Sequence, residues 1–342
     1  MITTANDQPE GAAKNPLIII TRTLPQRVET RMAELFVCSF RSDDTPMSRD
    51  ELAEAMQVAR VLVPTVTDLI DAELINGAGP QLKLIANYGN GVDNIDLKAA
   101  AARGIIVTNT PNVLSEDTAD LAMALILAVP RRIIEGASVL REDQSWAGWS
   151  PTWMLGQRLR GKKLGILGMG RVGSAVAKRA KAFGLDIHYH NRKPVAAATE
   201  SELGATYWER LDQMLPQIDI LSVNCPSTPS TFHLVSARRI ALMKPEAFII
   251  NTARGDIIDE EAMILALSEN RLAGAGLDVF KHEPKIDRRL MKLVNAGKTV
   301  ILPHMSSATL DARQEMGDRV LINIRAFLDG HRPPDRVLDV LL

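Results

Sequence analysis

The chain is poor in cysteine and carries almost no net charge. Cys38 and Cys225 are the only cysteines among its 342 residues. Two cysteines are too few for a disulfide framework or a zinc site, so we expect free thiols in a reducing compartment and no bound metal. The 40 Lys and Arg residues nearly balance the 41 Asp and Glu residues. No strong basic field therefore covers the molecule, and nucleic acid is not an expected partner.

Long apolar runs are also missing. The longest candidate, residues 121–130, is far shorter than the roughly 18 residues that cross a bilayer. Residues 1–16 are polar and lack the basic start and apolar core of a signal peptide, and we predict that they form a flexible tail. These absences favour a cytoplasmic protein with no membrane partner.

What the chain does contain is a regular alternation of short apolar runs and helical patterns. With 46% hydrophobic and 24% charged residues, it is long enough for two domains with separate cores. Runs typical of buried parallel strands occur at 17–20, 61–63, 82–86, 105–107, 164–167, 185–189, 218–223, 247–251, 273–279 and 299–302. Helical patterns lie between many of them, among them 48–60, 96–103, 236–243 and 259–269. The alternation predicts an α/β fold with two doubly wound parallel sheets.

Two long helices indicate where the domains meet. One is opened by Ser115 as N-cap and is apolar on more than one face, as expected of a connector between domains. The other, over residues 307–328, has no strand after it and is long enough to return to the first domain. We therefore predict a discontinuous domain of residues 17–114 and 308–342, and a second domain of residues 115–307.

Three of the four tryptophans lie in one irregular stretch, residues 142–159. Trp146, Trp149 and Trp153 alternate there with Gly and Pro, which argues against a regular buried element. An exposed aromatic arm of this kind more often packs against another subunit than binds a ligand. The stretch therefore predicts a homodimer contact.

A glycine-rich turn follows the apolar run at 164–167. In a dinucleotide-binding βαβ unit the first glycine permits a tight turn, the second lets the backbone approach a pyrophosphate, and the third lets the helix pack closely on the strand. The pyrophosphate would lie at the helix N-terminus, where free N–H groups favour an anion. The alternative is a turn with a structural role only. The strands and the helix that flank the glycines favour the dinucleotide-binding interpretation. The predicted phosphate-binding residues are Gly168, Gly170, Arg171, Val172 and Gly173.

The end of the next predicted strand carries Asn191, Arg192 and Lys193. An acidic residue at this position would bind the ribose 2′-hydroxyl of NAD(H) and would repel a 2′-phosphate. Asn191 can instead donate a hydrogen bond, and Arg192 can bind the phosphate with its planar guanidinium. The segment favours NADP(H), with a solvated basic turn in an NAD(H) enzyme as the alternative.

Three further loops each present one chemically capable residue at the end of a strand. Arg254, Glu283 and His304 follow the runs at 247–251, 273–279 and 299–302. An arginine can hold a substrate carboxylate and polarise the adjacent carbonyl, and a histidine paired with a carboxylate can donate the proton that a ketone reduction needs. Each residue alone also has a structural interpretation, as an ion pair, a turn end or a structural histidine.

A fourth loop, residues 87–93, is glycine-rich and also follows a strand. Ligands of open α/β sheets bind at the carboxyl edge of the strands, and the N–H groups of Asn90 and Gly91 could hold a carboxylate there. The glycines could equally serve a turn with positive φ, and the residues alone leave the two interpretations open.

Five blocks, taken together, resemble the D-isomer-specific 2-hydroxyacid dehydrogenase family in their usual order. They are YGNGVDNID at 88–96, GILGMGRVG at 165–173, NTARGDIIDE at 251–260, GLDVFKHEP at 276–284 and LPHMSSAT at 302–309. The resemblance covers nearly the whole chain from residue 17 onward. It implies two Rossmann-like domains, the discontinuous one of them a flavodoxin-like substrate domain and the other binding NAD(P).

The resemblance also implies roles for individual residues. Arg254 would bind substrate, His304 would be the acid/base, and Glu283 would tune it, while Asn90 and Gly91 would offer N–H groups to the substrate carboxylate. Further cofactor contacts are implied for His304 and for Cys225, Pro226, Thr252, Ala253, Asp278 and Ser307. The sequence departs from many relatives at Asn90, where an apolar residue is common, and at Ser306, where a glycine is frequent.

Within the family, residues 191–193 resemble the NADP-preferring glyoxylate and hydroxypyruvate reductases. We therefore expect NADPH-dependent reduction of a small 2-keto acid to the D-2-hydroxy acid. The alternatives are an NADH-dependent reductase of a bulkier 2-keto acid and a nucleotide-sensing corepressor on the same scaffold.

Overall fold

The structure is a computed structural model that describes residues 17–142 and 146–337. The predicted flexible tail, residues 1–16, lies outside the described residues. The chain divides into two compact units, one formed by the residues up to Leu114 together with those from Ala308 onward, and one formed by Ser115–Ser307. No described helix has both the length and the apolar character needed to cross a membrane.

The first unit contains a five-stranded parallel sheet in the order β2-β1-β3-β4-β5. Its strands are β1 (Ile18–Ile20), β2 (Cys38–Ser39), β3 (Val61–Val63), β4 (Leu84–Ala86) and β5 (Ile106–Thr108). Its helices are α1 (Gln26–Leu35), α2 (Arg49–Val58), α3 (Ala72–Gly77), α4 (Leu97–Ala102) and α13 (Leu310–Leu328). Strands β1, β3 and β4 are buried at every position, because helices cover both faces of a parallel sheet.

The second unit contains a seven-stranded parallel sheet in the order β12-β11-β10-β9-β6-β7-β8. Its strands are β6 (Lys163–Leu167), β7 (Asp186–His190), β8 (Ala205–Tyr207), β9 (Ile220–Val223), β10 (Phe248–Asn251), β11 (Gly274–Leu277) and β12 (Thr299–Ile301). Its helices are α5 (Ser115–Ala128), α6 (Ile133–Glu142), α7 (Arg171–Ala182), α8 (Ala197–Leu203), α9 (Leu211–Met214), α10 (Ala237–Ile240), α11 (Glu260–Ser268) and α12 (Arg288–Asn295), with a 3-10 turn at Gly255–Ile257.

The second sheet is covered on both faces. Ile249 and Ile250 are neighbours on β10, yet they belong to two different hydrophobic clusters because successive side chains of a strand point to opposite faces. Strand order reverses at β6, which pairs with β7 on one side and β9 on the other. Such a reversal opens a crevice at the carboxyl edge of the strands. The prediction of two doubly wound parallel sheets is confirmed.

Several predicted boundaries were too wide, and some elements were not predicted. The helix expected over 236–243 ends at Ile240, and the last helix begins at Leu310 because the hydroxyl of Thr309 accepts the N–H of Ala312 and caps it. Ser115, expected to be a cap, is the first residue of α5. Strands β2 and β8 and the helices α1, α3, α6, α8, α9 and α12 were not predicted.

Candidate active site

The three glycines of the turn after β6 meet three different requirements. Gly168 has φ +99°, and a Cβ on it would lie 2.7 Å from the backbone nitrogen of Cys225. A Cβ on Gly173 would lie 2.2 Å from the carbonyl oxygen of Gly168, so only glycine allows α7 to pack this closely. A Cβ on Gly170 would have no atom within 4 Å. The open space in front of the α7 N-terminus therefore fits the predicted pyrophosphate. Arg171 is exposed beside it, and Val172 is half-buried.

The segment after β7 is attached to this turn by a side chain. The Oδ1 atom of Asn191 accepts the backbone N–H of Met169 at 2.7 Å. The carboxamide therefore has its acceptor occupied, and its amino group remains as a donor. Arg192 and Lys193 are exposed and form no ion pair with another residue of the described ranges. The positive charges predicted from the sequence are thus available to an anion.

Cys225 and Pro226 follow β9 on the other side of the turn. Cys225 is half-buried, its backbone lies against Gly168, and Pro226 is exposed. Burial raises the pKa of the Cys225 thiol to about 11, so the thiol is neutral at physiological pH. The residue therefore contributes shape rather than charge.

The loop after β10 is organised by Asn251 and presents Arg254. The side chain of Asn251 donates to the carbonyl oxygen of Arg254 at 2.9 Å and accepts the N–H of Ala253 at 3.0 Å. The guanidinium of Arg254 donates to the carbonyl oxygen of Ala253 at 2.7 Å. Thr252 is buried, and its hydroxyl has no hydrogen-bond partner within the described part of the chain.

Gly255 brings this loop against the loop that carries Glu283. A Cβ on Gly255 would lie 2.0 Å from the carbonyl carbon of Phe280, an approach that no side chain permits. The two loops therefore share a backbone contact one residue after Arg254 and three residues before Glu283. The sequence showed the Arg-Gly pair but gave no sign of what the glycine touches.

His304 and Glu283 form the pair that the sequence predicted. The Nδ1 atom of His304 lies 2.7 Å from Oε2 of Glu283, and the two side chains are 28% and 32% exposed. The other carboxylate oxygen, Oε1, accepts the backbone N–H of Phe280 at 2.8 Å. Burial acts to raise the pKa of Glu283, but the hydrogen bond and charge of His304, the Phe280 N–H and the charge of Arg254 together lower that pKa below its usual value. Glu283 is therefore a carboxylate, and Arg254 is near enough to act on it.

Asp278 holds the turn that presents His304. It is fully buried, and its two carboxylate oxygens accept the N–H groups of Met305 and Ser306, each at 2.8 Å. Its backbone oxygen accepts the N–H of His304 at 2.9 Å, while His304 itself has φ +52°. Burial raises the pKa of Asp278 despite the two N–H groups, which act to lower it. The sequence did not predict this structural use of Asp278, although an aspartate directly after a buried strand was a signal for it.

Sequence-predicted residues of the second unit therefore gather along one sheet edge. Strands β6, β7, β9, β10, β11 and β12 are parallel, and each predicted residue follows the carboxyl end of one of them. Ser307, the last of them, is half-buried just after the turn of His304. Asn90 and Gly91 belong to the other unit.

In the first unit, the loop of Asn90 and Gly91 is fixed by its carbonyl groups. Asn87 is buried and donates to the carbonyl oxygen of Gly91 at 2.8 Å, and Asn109 donates to that of Asn90 at 2.7 Å. The N–H groups of Asn90 and Gly91 have no acceptor among residues 17–142 and 146–337. Two donors at the carboxyl end of β4 are thus left for an anion.

The glycine turn, the doubly wound sheet and the histidine–carboxylate pair define a nicotinamide-dependent oxidoreductase. The family model for "D-isomer specific 2-hydroxyacid dehydrogenase, NAD binding domain" matches residues 123–306. The chain belongs to the D-isomer specific 2-hydroxyacid dehydrogenase family and is an NAD(P)-dependent dehydrogenase.

Relatives match over nearly the whole chain. Glyoxylate reductase of Thermococcus litoralis is 44% identical over 94% of this chain and 96% of its own length. The crystal structure of a putative D-isomer specific 2-hydroxyacid dehydrogenase from Polaromonas has a TM-score of 0.87 at 38% identity, covering 95% of this chain and 100% of that one. The NADPH-dependent glyoxylate/hydroxypyruvate reductase of Sinorhizobium meliloti, crystallised with NADP and malonate, has a TM-score of 0.80 at 33% identity, covering 95% and 97%.

Proposed function

We propose that the protein reduces a small 2-keto acid to the D-2-hydroxy acid with NADPH, and that glyoxylate or hydroxypyruvate is the substrate. The observation that carries the proposal is the 2.7 Å contact between His304 Nδ1 and Glu283 Oε2, next to the loop of Arg254. The glyoxylate reductases among the relatives support the choice of a small acid.

The proposed roles of the three residues are compatible with their contacts. Glu283 holds Nδ1 of His304, so Nε2 is the atom that gives the proton to the substrate oxygen. Arg254 binds the substrate carboxylate and polarises the carbonyl beside it. The nicotinamide, when bound, supplies the hydride. The free N–H groups of Asn90 and Gly91 are proposed as further donors to the carboxylate.

The preference for NADPH rests on Asn191, Arg192 and Lys193. Asn191 keeps the acceptor that the Met169 N–H needs, as an aspartate would, but it brings no negative charge to the 2′-position. Arg192 and Lys193 have no competing acidic partner in the described residues. Further proposed cofactor contacts are Val172, Cys225, Pro226, Thr252, Ala253, Asp278, His304 and Ser307.

Steady-state kinetics with the purified protein test the proposal directly. NADPH and NADH are each combined with glyoxylate, hydroxypyruvate, pyruvate and phenylpyruvate, and the configuration of the product is determined. We expect the highest kcat/KM with NADPH and the two small acids. A higher kcat/KM with NADH, or with phenylpyruvate, would contradict the cofactor or the substrate assignment respectively.

Arg192→Ala tests the cofactor argument alone. Loss of one charged hydrogen bond to phosphate is expected to weaken NADPH binding by about 10- to 150-fold and NADH binding little. Fluorescence titration of each cofactor gives the two Kd values. Arg289→Ala, which removes an exposed arginine on α12, is the control and should change neither value. Equal losses for NADPH and NADH after Arg192→Ala would mean that Arg192 does not bind the 2′-phosphate.

We also propose a homodimer. The large apolar side chains exposed among the described residues between 133 and 155 are Ile133, Ile134, Leu140, Trp146, Trp149, Trp153 and Leu155. Single exposed apolar residues are ordinary on a monomer surface, whereas several of them close together in the sequence are typical of a subunit interface. The occupant that we infer is a second copy of this chain.

A further inference from the structure

The segment proposed to bind the 2′-phosphate is short and is held at both ends. We name residues 191–195 the specificity segment, because Arg192 and Lys193 lie at its centre. Neither of these two side chains makes a hydrogen bond or an ion pair with any part of the chain that the structure describes. Whatever positions them must therefore act through the backbone of the segment.

Tyr207 fixes the beginning of the specificity segment. It is the last residue of β8 and donates its hydroxyl to the carbonyl oxygen of Asn191 at 3.2 Å. The side chain of Asn191 is at the same time bound to the N–H of Met169. Asn191 is thus attached through its backbone to one strand and through its side chain to the glycine turn.

Tyr189 fixes the end of the segment. It lies on β7 and is fully buried, and its hydroxyl accepts the N–H of Val195 at 3.0 Å and donates to the carboxylate of Glu200 on α8. Burial and the Glu200 carboxylate raise the pKa of Tyr189 to about 12, so the hydroxyl keeps its proton at physiological pH. A single phenol therefore connects the segment to the helix that follows it.

The two tyrosines act from adjacent strands. Tyr189 and Tyr207 are register partners in the parallel pairing of β7 with β8, and their ring centroids are 5.3 Å apart. Both hydroxyls reach out of this packed pair to opposite ends of a five-residue segment. Pro194, whose φ is fixed by its ring, restricts the backbone between them further.

We propose that Tyr189 and Tyr207 are positioning residues for cofactor discrimination, because their hydroxyls hold the specificity segment in the conformation that presents Arg192 and Lys193 to a 2′-phosphate. The proposal rests on the proposed preference for NADPH. Neither tyrosine needs to touch the cofactor. Their effect is transmitted through the backbone of residues 191–195, and it concerns the phosphate that only NADP(H) carries.

Tyr207→Phe is the cleanest test. It removes one O–H and keeps the ring contact with Tyr189, and Asn191, whose carbonyl group it releases, is a half-buried residue. We expect the Kd of NADPH to rise by about 3- to 10-fold, as for the loss of one neutral hydrogen bond. The Kd of NADH should change by less than about twofold. At saturating NADPH, kcat should be unchanged.

The matched control is Tyr88→Phe. It removes the hydroxyl that donates to the carbonyl oxygen of Arg313 in the other unit, and should leave the ratio of the two cofactor Kd values unchanged. Inhibition by 2′,5′-ADP provides a second measurement. It should weaken in Tyr207→Phe by the same factor as NADPH binding, whereas inhibition by 5′-AMP should not.

Tyr189→Phe addresses the other end of the segment and is measured together with its thermal unfolding. If it folds, the same selective rise in the Kd of NADPH is expected. If it does not fold, Tyr207→Phe alone decides the proposal.

The outcomes separate this inference from the proposed function. If wild-type protein binds NADH as tightly as NADPH, the cofactor preference itself is wrong, and this proposal is overturned with it. If the wild type prefers NADPH and Arg192→Ala removes that preference, the proposed function stands. A Tyr207→Phe variant with an unchanged NADPH to NADH ratio would then overturn the positioning role of the tyrosines alone.

Discussion

Glu283 uses its two oxygens for two different partners. Oε2 binds His304 and Oε1 accepts the N–H of Phe280. Both donors need an acceptor, and a glutamine has only one acceptor atom. A carboxylate at this position can therefore accept from both groups at once when Nδ1 of His304 carries the proton. Because the pKa of Glu283 in the folded chain is lower than its usual 4.5, the stabilisation from its charge is complete above that value and is lost as the pH falls below it.

Glu283→Gln should lower kcat for keto-acid reduction by roughly 10²- to 10⁴-fold, because the imidazole of His304 loses its orienting partner. Steady-state kinetics with a small 2-keto acid and saturating cofactor would record the loss. His282→Ala, at an exposed neighbouring position, is the control with near-normal rates. A normal rate in Glu283→Gln would contradict the role of Glu283.

Residues that follow the end of a predicted strand could be assigned to the site from the sequence. Arg254, Glu283 and His304 each follow an apolar run, and parallel strands place such residues at one edge. The hydrogen-bond partners of Asn87 and Asp278 could not be predicted. Asn87 binds a carbonyl group of its own loop and Asp278 binds N–H groups of another turn, and nothing in a sequence shows which backbone group a buried side chain will reach.

At the scale of elements, two glycines of the turn between β6 and α7 are proposed to serve different purposes, Gly173 in folding and Gly170 in cofactor binding. Gly173 contacts backbone that cannot move without displacing the turn, whereas Gly170 faces open space. Two chemically identical substitutions should therefore have different consequences.

Gly173→Ala should reduce the free energy of unfolding by about 1–3 kcal/mol, since its Cβ would lie 2.2 Å from the carbonyl oxygen of Gly168. Gly170→Ala should lower the unfolding free energy by no more than about 1 kcal/mol, the cost of placing alanine at the N-cap of α7. It should weaken cofactor binding by about 5- to 150-fold, because the new methyl group would enter the space proposed for the pyrophosphate. Denaturant unfolding and cofactor titration measure the two effects. Equal stability losses in both variants would argue against this division of roles.

The elements themselves were predictable to different degrees. Strands such as β3 and β10 are buried on both faces, and such burial demands the continuous apolar run from which they were predicted. Strand β2 has two residues, Cys38–Ser39, and β8 is an edge strand without a buried position. Neither requires an apolar run, so the sequence carries no comparable signal for them.

At the scale of the whole molecule, the exposed apolar side chains are unevenly distributed. Trp149 is 81% exposed and Leu155 is 65% exposed, within the same short stretch of the second unit. Leu69 of the first unit is similarly exposed, at 61%, but no comparable run of apolar side chains surrounds it in the sequence. Substitutions in the stretch of Trp149 and Leu155 can therefore be compared with a substitution of Leu69, a single exposed residue that is not expected to lie at an interface.

Trp149→Ser combined with Leu155→Ser should convert a dimer into a monomer, or raise its dissociation constant by at least about 100-fold, because large exposed apolar side chains dominate interface energies. Sedimentation equilibrium over a range of concentrations gives the constant. Leu69→Ser is the control and should leave the association state unchanged. A wild-type protein that sediments as a monomer at all concentrations would rule out the dimer.

The contact of Gly255 with the backbone of Phe280 limits the changes of loop length that this enzyme can tolerate. The loops after β10 and β11 meet through main-chain atoms, with no side chain between them that could shorten or lengthen to absorb a shift. An insertion in either loop would displace the other, and Arg254 and Glu283 with it. New substrate ranges are therefore accessible mainly through residues outside these two loops. Asn90, an exposed residue of the first unit that is proposed to bind the substrate, is a natural starting point for directed evolution.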